Sequence, residues 1–183
     1  MEIDRPPQAR LRIGLTVNGR PVEAGIEPRE LLLDFLRNRL GLTGAKRSCD
    51  VQVCGACTVL VDDVPVSACC TLAYEARGRR VLTIEGLARD GRLHPLQDAF
   101  IEHAAVQCGF CTPGMILTAL ALLREVPAPT PVQVKAHMKD TLCRCTGYWK
   151  IIDAVVDAGR RMQAGEAPDA GGGAREVAPR GKP

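Results

Sequence analysis

QCGFCTPG at residues 107–114 and LCRCTGY at residues 142–148 are the two segments that decide how this chain of 183 residues folds. Each contains a pair of cysteines, then Thr, then a turn with Pro or Gly, and an apolar segment of helical periodicity lies between them. Thr before Pro is typical of a helix start, because Thr can cap free amides and Pro is tolerated in the first turn. Both pairs are therefore predicted just ahead of helix N-termini, where partial positive charge favours thiolates.

Four thiols brought together by folding suit either a metal centre or two disulfides. The chain has nine cysteines, no apolar signal region at its N-terminus and no apolar run of membrane length, so we expect a soluble protein that stays in the cytoplasm. Thiols remain reduced in that compartment, which favours metal binding over disulfides. The formal charge of +3 comes from dispersed basic residues and gives no case for nucleic acid as a partner.

The first half of the chain has the pattern of a small mixed fold. Alternating apolar residues on both sides of an Asn-Gly turn predict a hairpin over residues 10–24. A helix is predicted to begin at Pro28 and to end near Gly41. A second strand-turn-strand pattern at residues 58–66 and a strand at residues 81–84 complete a small sheet. This order of elements predicts a β-grasp.

A further cysteine motif, KRSCDVQVCGACT, lies at residues 46–58 of this half. Its spacing, C-x4-C-x2-C with a fourth cysteine after eleven more residues, matches the run of plant-type [2Fe-2S] ferredoxins. Gly55 and Ala56 keep the loop free of bulk, so backbone amides can approach the sulfurs. The spacing selects Cys69 over Cys70 as the fourth cysteine, and Cys70 is predicted to be a buried small hydrophobe.

From Pro95 onward the periodicity is helical. Four short helices are predicted at residues 95–100, 113–124, 131–138 and 147–162. We therefore expect an α+β chain, in which a β-grasp, ferredoxin-like domain is followed by a four-helix bundle and then by a disordered tail. The expected bounds are residues 9–86, 95–162 and 163–183.

The two cysteine motifs together resemble the small iron-sulfur subunit of the molybdenum hydroxylases, the family of xanthine dehydrogenase, aldehyde oxidoreductase, aerobic carbon monoxide dehydrogenase and bacterial N-heterocycle hydroxylases. The resemblance covers residues 10 to 162. It implies two [2Fe-2S] clusters, one held by Cys49, Cys54, Cys57 and Cys69 and the other, nearer the molybdenum, held by Cys108, Cys111, Cys143 and Cys145. It also implies that Gln107 touches the pterin cofactor and that Cys145 connects this cofactor to its cluster.

The function implied by this resemblance is a relay of single electrons. A large partner subunit would hold the molybdenum on a pterin dinucleotide in its cytosine form and oxidise the substrate, and electrons would pass through the two clusters to FAD on a third subunit or to another acceptor. A dimer of heterotrimers is the expected assembly. The chain itself shows no catalytic residues, since no nucleotide loop, catalytic triad or carboxylate pair is present in the sequence. A free-standing carrier with two clusters is the alternative.

Some residues leave other readings open. Many members of the family carry Gly where this chain has Ser48 and Gln52, and Asn where it has Thr141, which bears on the potential of the clusters but removes no ligand. Zinc could occupy sites made only of cysteine, although C-x-C is a poor match to zinc spacing. Gln107 could be a helix-end residue with no further role. Tyr148 and Trp149 are expected to pack the fourth helix and to face a partner.

Overall fold

The computed structural model describes residues 10–165, and it has the α+β class expected from the sequence. Its first part is a sheet of five strands, namely β1 Leu11–Val17, β2 Arg20–Ile26, β3 Thr58–Val61, β4 Val64–Ser67 and β5 Arg80–Leu82. The order across the sheet is β2-β1-β5-β3-β4. Strand β5 is parallel to β1 and antiparallel to β3, so it joins the two hairpins into one sheet.

Both hairpins turn through two residues with a left-handed backbone. The φ angle is 51° at Asn18 and 80° at Gly19, and it is 47° at Asp62 and 71° at Asp63. Turns of this kind match the twist of the strands, and Asn, Asp and Gly tolerate them best. The sequence predicted both hairpins correctly, although β2 continues to Ile26, two residues beyond its expected end.

The helix predicted to begin at Pro28 begins later. One α-helical turn spans Leu32–Asp34 (α1) and continues as a π-helical turn over Phe35–Arg39. The start is displaced because Leu31 is extended and pairs with the chain that follows β4. The end was predicted correctly, since Gly41 has a φ of 68° and stops the helix.

The last strand is shorter than predicted. Strand β5 ends at Leu82, and Ile84, expected to be its final residue, opens a 3-10 turn over Ile84–Gly86. The Asn18 side chain causes the break, because its Oδ1 accepts from the Thr83 amide at 2.8 Å and its Nδ2 donates to Thr83 Oγ1 at 2.9 Å. The Thr83 amide is thus not available to a neighbouring strand.

The second part is helical, with α2 Pro95–Glu102, α3 Thr112–Glu125, α4 Pro131–His137 and α5 Trp149–Gln163. Helix α5 was predicted from Gly147, but Gly147 and Tyr148 have φ angles of 67° and 71°, which no helix accepts, so α5 begins at Trp149. It ends at Gln163, the first residue of the predicted disordered tail. Residues 166–183 of that tail lie outside the described residues.

Two apolar cores hold the described residues together. The first contains Leu15, Phe35 and Val59, and the second contains Phe100 and Leu120 among the buried side chains of the four helices. Helix α3 packs against β3, so the sheet and the helices share an interface. The bounds 9–86 and 95–162 stay a prediction. Between residues 10 and 165 no helix is long and apolar enough to cross a bilayer.

Candidate metal centres

The first candidate centre brings together the four thiols of the motif in the first half of the chain. Cys49 contacts Cys54, and Cys57 contacts Cys69. The inner pair is buried, with Cys57 2% and Cys69 3% exposed. Burial raises the pKa of Cys57 to about 12, so this thiol stays neutral until a metal replaces its proton.

Backbone amides surround the outer thiol of this centre. The Val53 amide donates to Cys49 Sγ at 3.4 Å. Hydrogen bonds from the amides of Val51, Val53 and Cys54 lower the pKa of Cys49 to about 6. Successive amides pointing at one place form a concave nest that binds anions. The loop is therefore arranged for a thiolate and for the negative charge of a centre that it holds.

The loop reaches this shape through left-handed residues. The φ angle is 54° at Asp50, 59° at Gln52 and 68° at Gly55. A residue other than Gly loses about 1 kcal/mol in this conformation, so the position of Gln52 is one that Gly suits. Arg47 donates to the Asp50 carboxylate at 2.9 Å and also binds Asp34 on α1, which ties the loop to the helix.

The prediction for Cys70 was wrong. It was expected to be a buried small hydrophobe, yet its side chain is exposed, whereas the neighbouring Cys69 is buried. The two sulfurs lie 3.6 Å apart. The physical reason is that both residues lie in a turn, in which the Cys70 amide donates to Ser67 O, and only one of the two adjacent side chains enters the core. Burial supports the choice of Cys69 as the fourth thiol.

The second candidate centre also consists of two pairs of thiols. Cys145 Sγ and Cys108 Sγ lie 3.5 Å apart, and Cys111 contacts Cys143. Burial raises the pKa of Cys111 to about 12, whereas a hydrogen bond from the Phe110 amide lowers the pKa of Cys108. Cys108 and Cys145 are exposed. One pair thus faces the helices and the other faces the surface.

Cys143 has hydrogen-bond partners that the sequence did not predict. Thr146 Oγ1 donates to Cys143 Sγ at 3.1 Å, and the amides of Cys145 and Thr146 lie 3.4 Å from the same sulfur. Burial opposes ionisation of Cys143, but these bonds outweigh it and lower its pKa. The Cys143 amide in turn donates to Tyr148 Oη at 2.8 Å. Thr directly after C-x-C is the signal that could have identified Thr146.

The predicted helix starts hold for one pair of cysteines. Cys111 is itself the N-cap of α3, so Thr112, which was expected to cap, is instead the first helical residue. Helix α5 begins after the N-cap Tyr148, and Cys145 is therefore separated from it by a left-handed turn. Hydrogen bonds from individual amides, more than the end of α5, stabilise charge on the pair at residues 143–145.

The donor set of both centres fits a [2Fe-2S] cluster. All nine cysteines are free thiols, and the eight predicted ligands form four contacting pairs. A [2Fe-2S] cluster takes four cysteine thiolates, two on each iron. Paired thiols therefore suit a centre with two metal atoms better than a single zinc ion.

The two centres touch through the backbone. The Leu142 amide, directly before Cys143, donates to Cys54 O at 2.9 Å. Next to this bond, a Cβ added to Gly114 would lie 2.2 Å from Gly55 O, so α3 approaches the first loop as closely as only Gly permits. One hydrogen bond thus joins a cysteine of the first centre to the residue beside a cysteine of the second.

Large side chains are exposed around the outer pair of the second centre. Gln107 is exposed beside Cys108, Phe110 is 46% exposed and Trp149 is 76% exposed. Tyr148 packs against the helical core as expected, but the expectation that Trp149 packs its helix was wrong, because its side chain is exposed. Exposed apolar side chains thus occur close in the sequence to both exposed thiols, Phe110 near Cys108 and Trp149 near Cys145.

Comparisons with known families agree with the two motifs. The model of a 2Fe-2S iron-sulfur cluster binding domain matches residues 15–82, and that of a [2Fe-2S] binding domain matches residues 83–156. The first range contains the first centre, and the second contains all four thiols of the second centre. Both models therefore assign iron-sulfur binding to the parts of the chain where thiols converge.

Named relatives cover nearly the whole of the described residues. The chain is 48% identical to the nicotine 6-hydroxylase small subunit of Paenarthrobacter nicotinovorans over 83% of this chain and 92% of that protein. It is 49% identical to the nicotinate dehydrogenase small FeS subunit of Eubacterium barkeri over 80% and 93%. A chain of the crystal structure of quinoline 2-oxidoreductase from Pseudomonas putida 86 superimposes with a TM-score of 0.84 and 46% identity, covering 87% of this chain and all of that one.

Proposed function

The chain belongs to the family of small [2Fe-2S] subunits of the molybdenum hydroxylases, and we propose that its two groups of four thiols each hold one cluster. It is an electron-transfer subunit of an oxidoreductase. The ligands that we propose are Cys49, Cys54, Cys57 and Cys69 in the first centre and Cys108, Cys111, Cys143 and Cys145 in the second. The free-standing carrier is not favoured, because the relatives are named as subunits.

The clusters would supply a redox chemistry that accepts and releases one electron at a time. The residues of this chain would bind the clusters and determine the surroundings of their sulfurs. Thiolates hold each centre, amides and one hydroxyl donate to the sulfurs, and aliphatic side chains exclude water from Cys57 and Cys69. Donors directed at sulfur stabilise added negative charge. Both centres are thus built to become more negative without losing their ligands.

The hydrogen bond between Leu142 and Cys54 is the observation that carries the proposal. It places the two groups of thiols next to each other. Two adjacent thiol centres support a relay in which an electron passes from one centre to the other.

The large subunit is the partner of the second centre in this proposal. Cys108 and Cys145 are exposed within the described residues 10–165, as are Gln107 beside Cys108 and the apolar side chains of Phe110 and Trp149 nearby in the sequence. We propose that the large subunit covers this surface and brings its molybdenum cofactor, a cytosine dinucleotide of the pterin, to Gln107 and Cys145. The substrate is chosen in that subunit.

The other parts of the assembly extend the same proposal. We propose an FAD-binding subunit as the acceptor near the first centre, where Val51 and Val53 are 66% and 59% exposed on the cluster loop. We also propose a dimer of heterotrimers in the cytoplasm. Nine free thiols support the last point, because such thiols persist in a reducing compartment.

Iron and acid-labile sulfide per chain, together with EPR of the dithionite-reduced full-length protein, test the ligand assignment. We expect about four irons, about four sulfides and two distinct signals. Cys69→Ser should lose about half of the iron and one signal, because it removes a buried ligand, whereas Cys70→Ser should lose neither.

Comparison of the Cys69→Ser and Cys70→Ser variants shows which of the two cysteines is the ligand. Loss of iron in Cys70→Ser but not in Cys69→Ser would exchange their roles. Zinc without sulfide, or one signal in the unchanged protein, would remove the relay altogether.

A further inference from the structure

The Thr146 hydroxyl has a position that the ligand assignment does not explain. Its Oγ1 lies 3.1 Å from Cys143 Sγ. Among residues 10–165 it is the only side-chain hydroxyl that donates to a cysteine sulfur. Every other hydrogen bond to a cysteine sulfur from a group other than a thiol comes from a backbone amide.

The direction of this hydrogen bond is fixed by its neighbours. The Tyr148 amide donates to Thr146 Oγ1 at 3.3 Å, so the hydroxyl oxygen is already an acceptor and its proton is free for the sulfur. Tyr148 Oη accepts from the Cys143 amide at 2.8 Å and donates to Thr141 O at 3.2 Å. These bonds close a ring through Cys143, Thr146 and Tyr148, which holds the hydroxyl against the sulfur.

The left-handed backbone at Tyr148 belongs to the same arrangement. Its φ of 71° is unusual for an aromatic residue. With this backbone, the Tyr148 amide donates to Thr146 Oγ1, and the phenol bonds to Cys143 and Thr141. The strain at Tyr148 therefore accompanies the placement of the Thr146 hydroxyl.

We propose that Thr146 sets the reduction potential of the second centre, with Tyr148 as its positioning residue. The proposal rests on the ligand set proposed above, in which Cys143 binds this centre. Reduction adds one electron from the partner subunit and one negative charge, and no bond to a ligand forms or breaks. A hydroxyl proton on a ligand sulfur stabilises the more negative state more strongly, and so it raises the potential.

Redox titration of the full-length protein, followed by EPR, tests this assignment. Thr146→Val keeps the shape of the side chain and removes the donor. We expect the ratio of reduced to oxidised second centre at a fixed potential to fall roughly tenfold, a shift of about 59 mV to lower potential for a one-electron couple. Thr146→Ser restores the hydroxyl and should restore most of the potential.

The first centre is an internal reference, because its signal is titrated in the same sample and should not move. Tyr148→Phe should shift the second signal in the same direction by less than Thr146→Val, since it loosens the ring and leaves the donor in place. Iron content is measured for each variant, and Thr146→Ala provides a smaller side chain without a hydroxyl.

Three outcomes would overturn the proposal. The first is an unchanged potential in Thr146→Val with iron intact, and the second is an equal shift of both signals. In the third, both Val and Ala lose the iron of the second centre while Ser keeps it, so that the hydroxyl serves assembly. Two signals and about four irons in the unchanged protein keep the proposed function in each of these cases, so its failure would be distinguishable.

Discussion

The two thiol centres differ in how much of their surroundings this chain supplies. In the first, the inner cysteines are buried between the sheet and its loop, and backbone amides cover the outer thiol. In the second, Cys111 and Cys143 pack against the helical core, but Cys108 and Cys145 stay exposed. The first centre is completed by the folding of one chain. The second centre keeps one pair of thiols exposed, and in the proposed function the large subunit covers that pair.

The two centres also differ in the groups that donate hydrogen bonds to their sulfurs. Donors in the first centre are backbone amides, which depend on the loop conformation at Asp50, Gln52 and Gly55. The second centre adds a side-chain donor, Thr146, which a single substitution can remove. Backbone donors make the first centre insensitive to most changes of side chain. The second centre is therefore the one whose properties substitution can adjust.

The largest effect is expected where the two centres touch. A Cβ at Gly114 would lie 2.2 Å from Gly55 O, and backbone cannot yield as a flexible side chain does. Gly114→Ala should therefore lower the free energy of unfolding by about 3 kcal/mol, although Ala is the better helix former. Urea unfolding followed by circular dichroism measures it.

Gly14→Ala is the matched control for that substitution. An added Cβ at Gly14 meets no atom within 4 Å, so its free energy of unfolding should be unchanged or higher by about 0.5 kcal/mol. Equal stabilities of the two variants would mean that the centres are not in tight contact. The two thiol centres would then be independent sites.

The next largest effect is a loss of stability at low pH, and it involves His94 in the helical part of the chain. His94 caps α2, with its Nδ1 accepting from the Leu96 amide at 3.2 Å, and burial lowers its pKa to about 4. The unfolded chain, with a His pKa near 6.5, therefore takes up the proton first as the pH falls. The contribution is complete above about pH 6.5 and is lost towards pH 4, which amounts to about 2 kcal/mol by pH 5.

His94→Asn distinguishes this group from all other acids and bases of the chain. Asn can accept the same amide at the N-cap but does not titrate. Unfolding by urea at about pH 7.5 and pH 5 should show a smaller loss of stability in His94→Asn than in the unchanged protein, by about 2 kcal/mol. An equal loss in both would mean that His94 is protonated in the folded chain or does not titrate in this range.

The sequence predicted the parts of the molecule that depend on local pattern. Alternation and turn residues identified both hairpins, and cysteine spacing identified the eight thiols that the fold brings together in pairs. The start of α1, the end of β5 and the exposure of Cys70 depend on contacts between segments far apart in the chain. The pairing of Leu31 and the Asn18 bonds to Thr83 are examples. Periodicity and cysteine spacing do not predict contacts of this kind.

The same distinction between local pattern and contacts of distant segments applies to the site. Gly55 was recognised as an open position in the loop, but its contact with Gly114 joins residues of two different elements, and nothing in either motif announces it. The sequence pattern predicts a helix start at Thr146 and the packing of Tyr148 on that helix, but no contact of either residue with Cys143. Their contacts with Cys143 depend on a left-handed Tyr148, which the pattern of the sequence does not reveal.

The smallest effect would test the open side of the second centre directly. Trp149 is 76% exposed beside exposed thiols, and large aromatic side chains dominate the binding energy of protein interfaces. Trp149→Ala should weaken binding of the large subunit by about tenfold, or about 1.4 kcal/mol, in a titration of the purified subunits. Val132→Ala, at a residue that is also 76% exposed but lies on α4, should not change it.

The iron content of the Trp149→Ala chain, measured without the large subunit, distinguishes weaker binding from damage to the clusters. Because Trp149 contacts the proposed partner and not the core, Trp149→Ala should keep the iron and both EPR signals of the unchanged protein. Weaker binding with intact centres would establish that the second centre is completed from outside the chain. Unchanged binding in Trp149→Ala would move the interface elsewhere, and exposure of Cys108 and Cys145 would then need a different cover. In that case the contrast between a closed first centre and an open second one would hold for this chain but would say nothing about where the large subunit docks.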